Sequence, residues 1–233
     1  MKSLLDGLMM MANDLNERHE ENESTDFKHS DGWSIIYEKD HQLQIYKSLK
    51  PCYEDERLFD FESLQSLFVS LHARKASVGE ISYHNVHPFV DTLNGKTFAF
   101  CHNGTVRDNF DISPIYKPKG NVDSERFFYY ILTHLDAADL VSSYKKILKS
   151  IMNYSSMNSF LCSIDQSFIV NQYTLNPRYY TMKLTQDDAS IIISSEVLPT
   201  LPNRRWTPLK NMTFIKIVHK NLTPVMEISS VDD

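Results

Sequence analysis

Thr97-Phe98-Ala99-Phe100-Cys101-His102-Asn103-Gly104-Thr105 decides how this chain is read. Its β-rich half predicts a strand over Thr97 to His102 that stops at Asn103-Gly104. Before it, Phe68 to Arg74 reads as another strand running into a polar loop, so the polar ends of the two are expected side by side. After it come two helices, Ser124 to Leu135 with Asp123 as N-cap and Leu140 to Met152. Upstream, Leu4, Leu8, Met11, Ala12 and Leu15 recur at helical spacing and predict an amphipathic helix over Leu4 to Leu15. Asn16 to Lys28 is polar and acidic and reads as a loop or a frayed helix end, Trp33 to Tyr37 and Leu43 to Leu49 as a hairpin, and Asp55 to Leu67 as a helix. Downstream, Ser159 to Ile164, Ser167 to Tyr173, Tyr179 to Leu184, Ser190 to Ser194, Thr213 to His219 and Val225 to Ser229 are short β-rich runs. Strands, two central helices and more strands, without a Pro- or Gly-rich linker, predict one α+β domain over residues 1–233.

Composition narrows the function classes. With 42% hydrophobic, 12% aromatic and 23% charged residues, the chain has an ordinary globular make-up. A net charge of −6 argues against nucleic acid or an anionic membrane as the main partner. Cys52, Cys101 and Cys162 form no Cys-x-x-Cys pair, which points away from a disulfide framework or thiolate zinc site and suits a reducing cytoplasm. No apolar run is long enough to cross a membrane, and the start shows no signal-peptide pattern, so a cytoplasmic protein is expected. The six glycines are few, and Gly32, Gly79 and Gly104 fall in short polar clusters.

Those clusters carry the candidate chemistry. Arg74 at a strand end offers a planar fork that matches a carboxylate, or else makes a surface ion pair. Asn103-Gly104 supplies an amide and a backbone N–H that could meet a developing oxyanion, or else a β-turn. Asp123 could bind an ammonium group or simply cap its helix. His84 and His87 with Cys101-His102 lack a carboxylate at ligand spacing, so no metal site and no cofactor is expected.

The order of these clusters is more specific than any one of them. Asp31-Gly32-Trp33, then His72-Ala73-Arg74-Lys75-Ala76-Ser77-x-Gly79, Asn85-Val86-His87-Pro88-Phe89, Phe98 to Thr105, Asp123-Ser124-Glu125, and Ser194-Ser195-Glu196 with Trp206 together resemble the class II glutamine amidotransferases. These are N-terminal-nucleophile hydrolases, and the stand-alone members are the nearest in pattern. The resemblance covers roughly residues 4 to 215. It implies a four-layer αββα sandwich of two antiparallel sheets covered by helices. It also implies roles: Arg74 for the α-carboxylate of glutamine, Asp123 for its α-ammonium, and Asn103 with the Gly104 N–H as oxyanion hole. The expected ligand is glutamine or a γ-glutamyl compound. A separate synthase subunit and a homo-oligomer both remain open.

One departure stands against the family pattern. The family nucleophile is an N-terminal cysteine on a first strand, whereas this chain opens Met1-Lys2-Ser3 and reaches its first helix at once. Strand and nucleophile are therefore expected to be missing from residues 1–233, through an upstream start or through loss of catalysis in a binding protein. The upstream start is preferred, because losing a strand would expose a sheet edge and strip core contacts. Ser3 is not expected to substitute, since it would open a helix, and Ser34 stands where a second glycine is usual.

Overall fold

The computed structural model describes residues 1–16, 27–76, 80–219 and 223–233. In chain order its elements are α1 (Lys2–Ala12), β1 (Trp33–Lys39), β2 (Gln42–Ser48), a short 3-10 helix (Glu56–Phe61), β3 (Val69–Ala73), β4 (Phe89–Leu93) and β5 (Lys96–Asn103). Then follow α2 (Asp123–His134), α3 (Leu140–Ser150), β6 (Asn158–Cys162), β7 (Gln166–Asn171), α4 (Pro177–Tyr180), β8 (Lys183–Gln186), β9 (Ile191–Ser194), β10 (Thr207–Pro208), β11 (Thr213–Val218) and β12 (Val225–Ser230). The Ser77 to Gly79 end of the polar motif and most of the predicted loop before Lys28 lie outside the described residues.

Among the described residues all strand pairing is antiparallel, in one six-stranded sheet ordered β12-β11-β7-β6-β5-β4 and two three-stranded sheets ordered β2-β1-β3 and β10-β8-β9. The two-residue period of a strand sorts side chains into layers. On one face of the large sheet, Phe98, Phe100, Leu161, Phe168, Val170 and Phe214 join Phe127, Phe128, Ile131, Tyr144 and Leu148 of α2 and α3 in the largest core. On the other face, Ala99 and Cys101 meet Ile36 of β1, while Ile169 and Ile215 meet Met182, Leu184 and Ile193 around β8 and β9. The outer face of β1 and β3 buries Trp33 and Ile35 against Leu5 and Leu8 of α1. The succession helix, sheet layer, sheet, helices is the four-layer arrangement expected. One inner layer, however, is divided into two sheets.

Several boundaries moved. The helix expected over Asp55 to Leu67 shrinks to the 3-10 turn. The Ser66 hydroxyl donates to the Glu38 and Phe68 carbonyls and draws the chain out of the helix, into line with β1. Helix α1 ends at Ala12 because Asp14 is left-handed and the returning His29 N–H takes the Ala12 carbonyl. The strand expected at Tyr179 begins only at Lys183. Left-handed Asn176 followed by Pro177 starts a helical turn instead. Strand β4 was not foreseen, although Asn94-Gly95, with φ of 50° and 76°, is the two-residue turn that joins it to β5.

Trp33 locks the small sheet to the 3-10 turn: it is fully buried, and its indole N–H donates to Asp55 Oδ2 at 2.9 Å. Burial alone would raise the Asp55 carboxyl, but hydrogen bonds from Ser48, Trp33 and the Arg57 N–H, with the charge of Lys50, hold it below the usual range. Trp33→Phe removes the donor and leaves a buried carboxylate short of a partner. It should cost about 1–3 kcal/mol, read as a lower urea midpoint at an unchanged slope.

Candidate functional site

Beneath α1, between the edge of β3 and the edge of β9, lies a cavity of about 490 Å³ whose floor is the β5–β6 face of the large sheet. All five residues of β3 line it, with Ile192, Ile193 and Ser194 of β9 and Leu4, Leu8, Met11 and Ala12 of α1. Among the described residues neither of these two edges pairs with a further strand. Arg74, Asn103, Gly104 and Asp123, distant in sequence, all border this one cavity.

Each is set by local structure. Arg74 extends the β1–β3 ladder past Ala73: its N–H donates to the Gly32 carbonyl at 2.8 Å and its carbonyl accepts from Asp31 at 3.0 Å. Gly32 has φ of 111°, and a Cβ there would meet the Ser48 carbonyl. Asp31 Oδ2 accepts the Ala76 N–H at 2.7 Å, which folds the chain after Arg74 back over the ladder. The Arg74 guanidinium is buried; desolvation draws its pKa down while Asp31 opposes the fall. Asn103 closes β5 opposite Asn158 of β6, and Gly104 follows at φ 153°, where a Cβ would collide with the Ser156 carbonyl. The Asn103-Gly104 pair is thus a strand exit against a neighbouring backbone, and the hairpin alternative falls away. Asp123 does not cap its helix: Val122 holds the cap position and Asp123 opens the first turn, with Oδ2 accepting the Val106 N–H at 2.7 Å.

The predicted neighbourhood of the β3 and β5 ends is realised across the two sheet layers, not within one sheet. His102 ties it together. Its Nε2–H donates to the Ser156 carbonyl at 3.0 Å, which leaves Nδ1 to accept the Ser124 hydroxyl at 2.9 Å. One neutral imidazole thereby fixes the strand exit, the start of α2 and the segment facing Gly104. Burial lowers the His102 pKa against the pull of Asp123. Burial, with the neighbouring His29 ring and the Arg74 guanidinium, brings His72 down to about 3, and His87 is likewise driven well below the ordinary range.

The cysteines are poor nucleophiles where they stand. All three are buried, and desolvation pushes Cys52 and Cys162 up to about 12 and Cys101 higher still. Among the described residues no three His, Cys, Asp or Glu side chains are placed to hold a metal, and no helix is long and apolar enough to cross a membrane. Asn158, Tyr179 and Tyr180, which sequence reasoning does not single out, complete the wall. Their stretches carry no distinctive spacing, and only the return of β6 beside β5 brings Asn158 there.

A sequence model of the class II glutamine amidotransferases matches residues 13–159. A Haemophilus influenzae protein predicted to be a glutamine amidotransferase is 25% identical over 218 residues, which is 80% of this chain and 73% of that protein. The crystal structure of a predicted glutamine amidotransferase from Pseudomonas aeruginosa superposes with a TM-score of 0.58 at 17% identity, covering 84% of this chain and 88% of that one. Glutamine phosphoribosylpyrophosphate amidotransferase from B. subtilis gives 0.65 at 13% identity, over 98% of this chain and 46% of that one. These two superpositions speak to the fold.

Histidines held neutral in the fold but titrating near 6.5 when unfolded make the unfolded state the stronger proton binder below that pH. Stability should therefore be flat above about pH 6.5 and fall below it by up to about 1.4 kcal/mol per pH unit for each such histidine. Urea unfolding between pH 8 and pH 5 measures this, and His72→Asn should make the decline shallower.

Proposed function

The chain belongs to the class II glutamine amidotransferases, and from that premise we propose that its cavity binds glutamine or a γ-glutamyl compound and serves release of ammonia from the side-chain amide. The observation that supports this most is the meeting of Arg74, Asn103, Gly104 and Asp123 around one cavity. A zwitterionic amino acid needs a cation for its carboxylate, an anion for its ammonium and donors for the tetrahedral oxyanion. Arg74 supplies the first, Asp123 the second, and the Asn103 amide with the Gly104 N–H the third.

The nucleophile in this reading is an N-terminal cysteine on a strand lying between β3 and β9. Two sheet edges facing one cavity, under the apolar face of α1, favour such an occupant: it would join two three-stranded sheets into one layer. Its thiolate attacks the amide carbon, the oxygen charge is taken by the Asn103 and Gly104 donors, and ammonia leaves with a proton supplied through the α-amine. Water then cleaves the γ-glutamyl thioester. A second reading, a non-catalytic protein that keeps the ligand site, has the buried and unactivated state of Cys52, Cys101 and Cys162 in its favour.

Calorimetry with glutamine tests the site. Arg74→Ala should weaken binding tenfold or more, a loss of at least about 1.4 kcal/mol, and equal affinities would remove Arg74 as the carboxylate clamp. A thiol-directed glutamine analogue should label none of Cys52, Cys101 and Cys162 in a manner that glutamine prevents. Protectable labelling of any of them would transfer the nucleophile's role to it.

A further inference from the structure

Next to Arg74, at the cavity wall and behind it, lies a second group of polar atoms for which the glutamine reading has no use. Lys47 of β2, Ser34 of β1 and His72 of β3 stand opposite one another in the ladder, one residue from each strand. The neighbours Ile36 and Ala99 place this face against the large sheet. His87, only 6% exposed, leans on His72 with ring centroids 4.3 Å apart. Both ring nitrogens of His87, Nδ1 of His72 and the hydroxyl of Ser34 are buried without a hydrogen-bond partner, and both histidines line the cavity. Buried polar atoms are ordinarily paired, so four orphans in one patch mark a place for a ligand group.

Two cationic side chains, Lys47 and Arg74, bear on His87, and Arg74 bears on His72 as well. The nearby carboxylates are engaged with backbone: Asp31 with the Ala76 N–H, Asp123 with the Val106 N–H, and Glu125 with the Lys119 and Gly120 N–H groups. A cation would find repulsion and no third metal-binding side chain among the described residues. A strand pairing with β3 and β9 would spend its backbone groups sideways along those edges, whereas His87 approaches from the loop before β4.

We propose that His87, His72 and Ser34 form a buried anion subsite beside Arg74 that takes a carboxylate or phosphate group. His87 donates one N–H and Ser34 its O–H, while His72, whose ring already bonds the His102 backbone, presents Nδ1 as the acceptor of the proton that comes with the bound acidic group. His72 and Arg74 are two residues apart on one face of an extended chain, about 7 Å between Cα atoms. A ligand held by Arg74 at one acidic group can therefore place a second against the histidines. The anion is then either the far acidic group of a substrate longer than glutamine or a free inorganic anion. Only the first of these rests on the glutamine reading.

Nuclear magnetic resonance of the imidazole nitrogens tests the subsite in the whole chain, with inorganic phosphate, glutamine and γ-glutamylglycine as probes. Phosphate or γ-glutamylglycine is expected to move the His72 and His87 resonances, and His87→Phe to weaken binding of the active probe tenfold or more. A response to γ-glutamylglycine beyond that to glutamine assigns the subsite to the substrate's second acidic group; a response to phosphate alone assigns it to a free anion. Imidazoles that stay still with both phosphate and γ-glutamylglycine overturn the proposal. The resonances of the unmodified protein carry the test even if His87→Phe does not fold. The phosphate arm is indifferent to whether glutamine binds, so the two readings fail separately.

Discussion

Strand β5 is buried on both faces, and the rest of the molecule is arranged around that constraint. Its even-numbered side chains, Phe98, Phe100 and His102, turn toward α2. Its odd-numbered ones, Ala99 and Cys101, turn toward the opposite sheet layer, where Ile36 is fully buried against them. A strand so enclosed has no room to slip by one residue, since a slip would drive phenylalanine into the space of alanine and leave voids under the helices. The point at which it leaves the sheet is fixed as a result. That point is Asn103-Gly104.

Around this exit the polar groups work as positioning devices, each tying together segments distant in sequence. His102 joins β5 to α2 and to Ser156. Asn85 performs a similar task above them: its amide donates to the Glu80 carbonyl and to Asn121 Oδ1 and its oxygen accepts the Asn121 N–H, while Glu125 receives the N–H groups of Lys119 and Gly120. The loops before β4 and before α2 are thereby clipped to each other and to the helix that carries Asp123. Buried networks of this kind rigidify only when fully paired. The orphaned atoms of His72, His87 and Ser34 contrast with them for that reason.

The divided inner layer gives the cavity its character. Two sheets that end at β3 and β9 leave backbone edges on either side of a space roofed by apolar residues of α1. Edges are usually shielded, because unpaired N–H and C=O groups invite pairing. Here both are turned inward, onto the site where Arg74 and Asp123 meet, so that whatever completes the layer also shapes the site.

Much of this was legible in the chain itself. The α+β class, the hairpin of β1 and β2, the two central helices and the strand ending at Asn103-Gly104 follow from local periodicity and turn chemistry, which neighbouring residues settle among themselves. Arg74, Asn103, Gly104 and Asp123 were picked out by residue type and order. Their meeting in one cavity depended on antiparallel register and on contacts between layers, which no local pattern encodes. The same holds for the misjudged parts. Asp123 looked like a cap until the Val106 N–H, 17 residues away, claimed its carboxylate. The helix after Asp55 lost its second half to the hydrogen bonds of Ser66 with Glu38, 28 residues back along the chain. His87 stood out in the chain only as a metal-ligand candidate without a carboxylate partner, and its burial against His72 gave its ring nitrogens a different consequence. Local propensity contributes tenths of a kcal/mol per residue, whereas burying or pairing a polar group contributes about 1–3 kcal/mol, so tertiary structure prevails wherever the two compete.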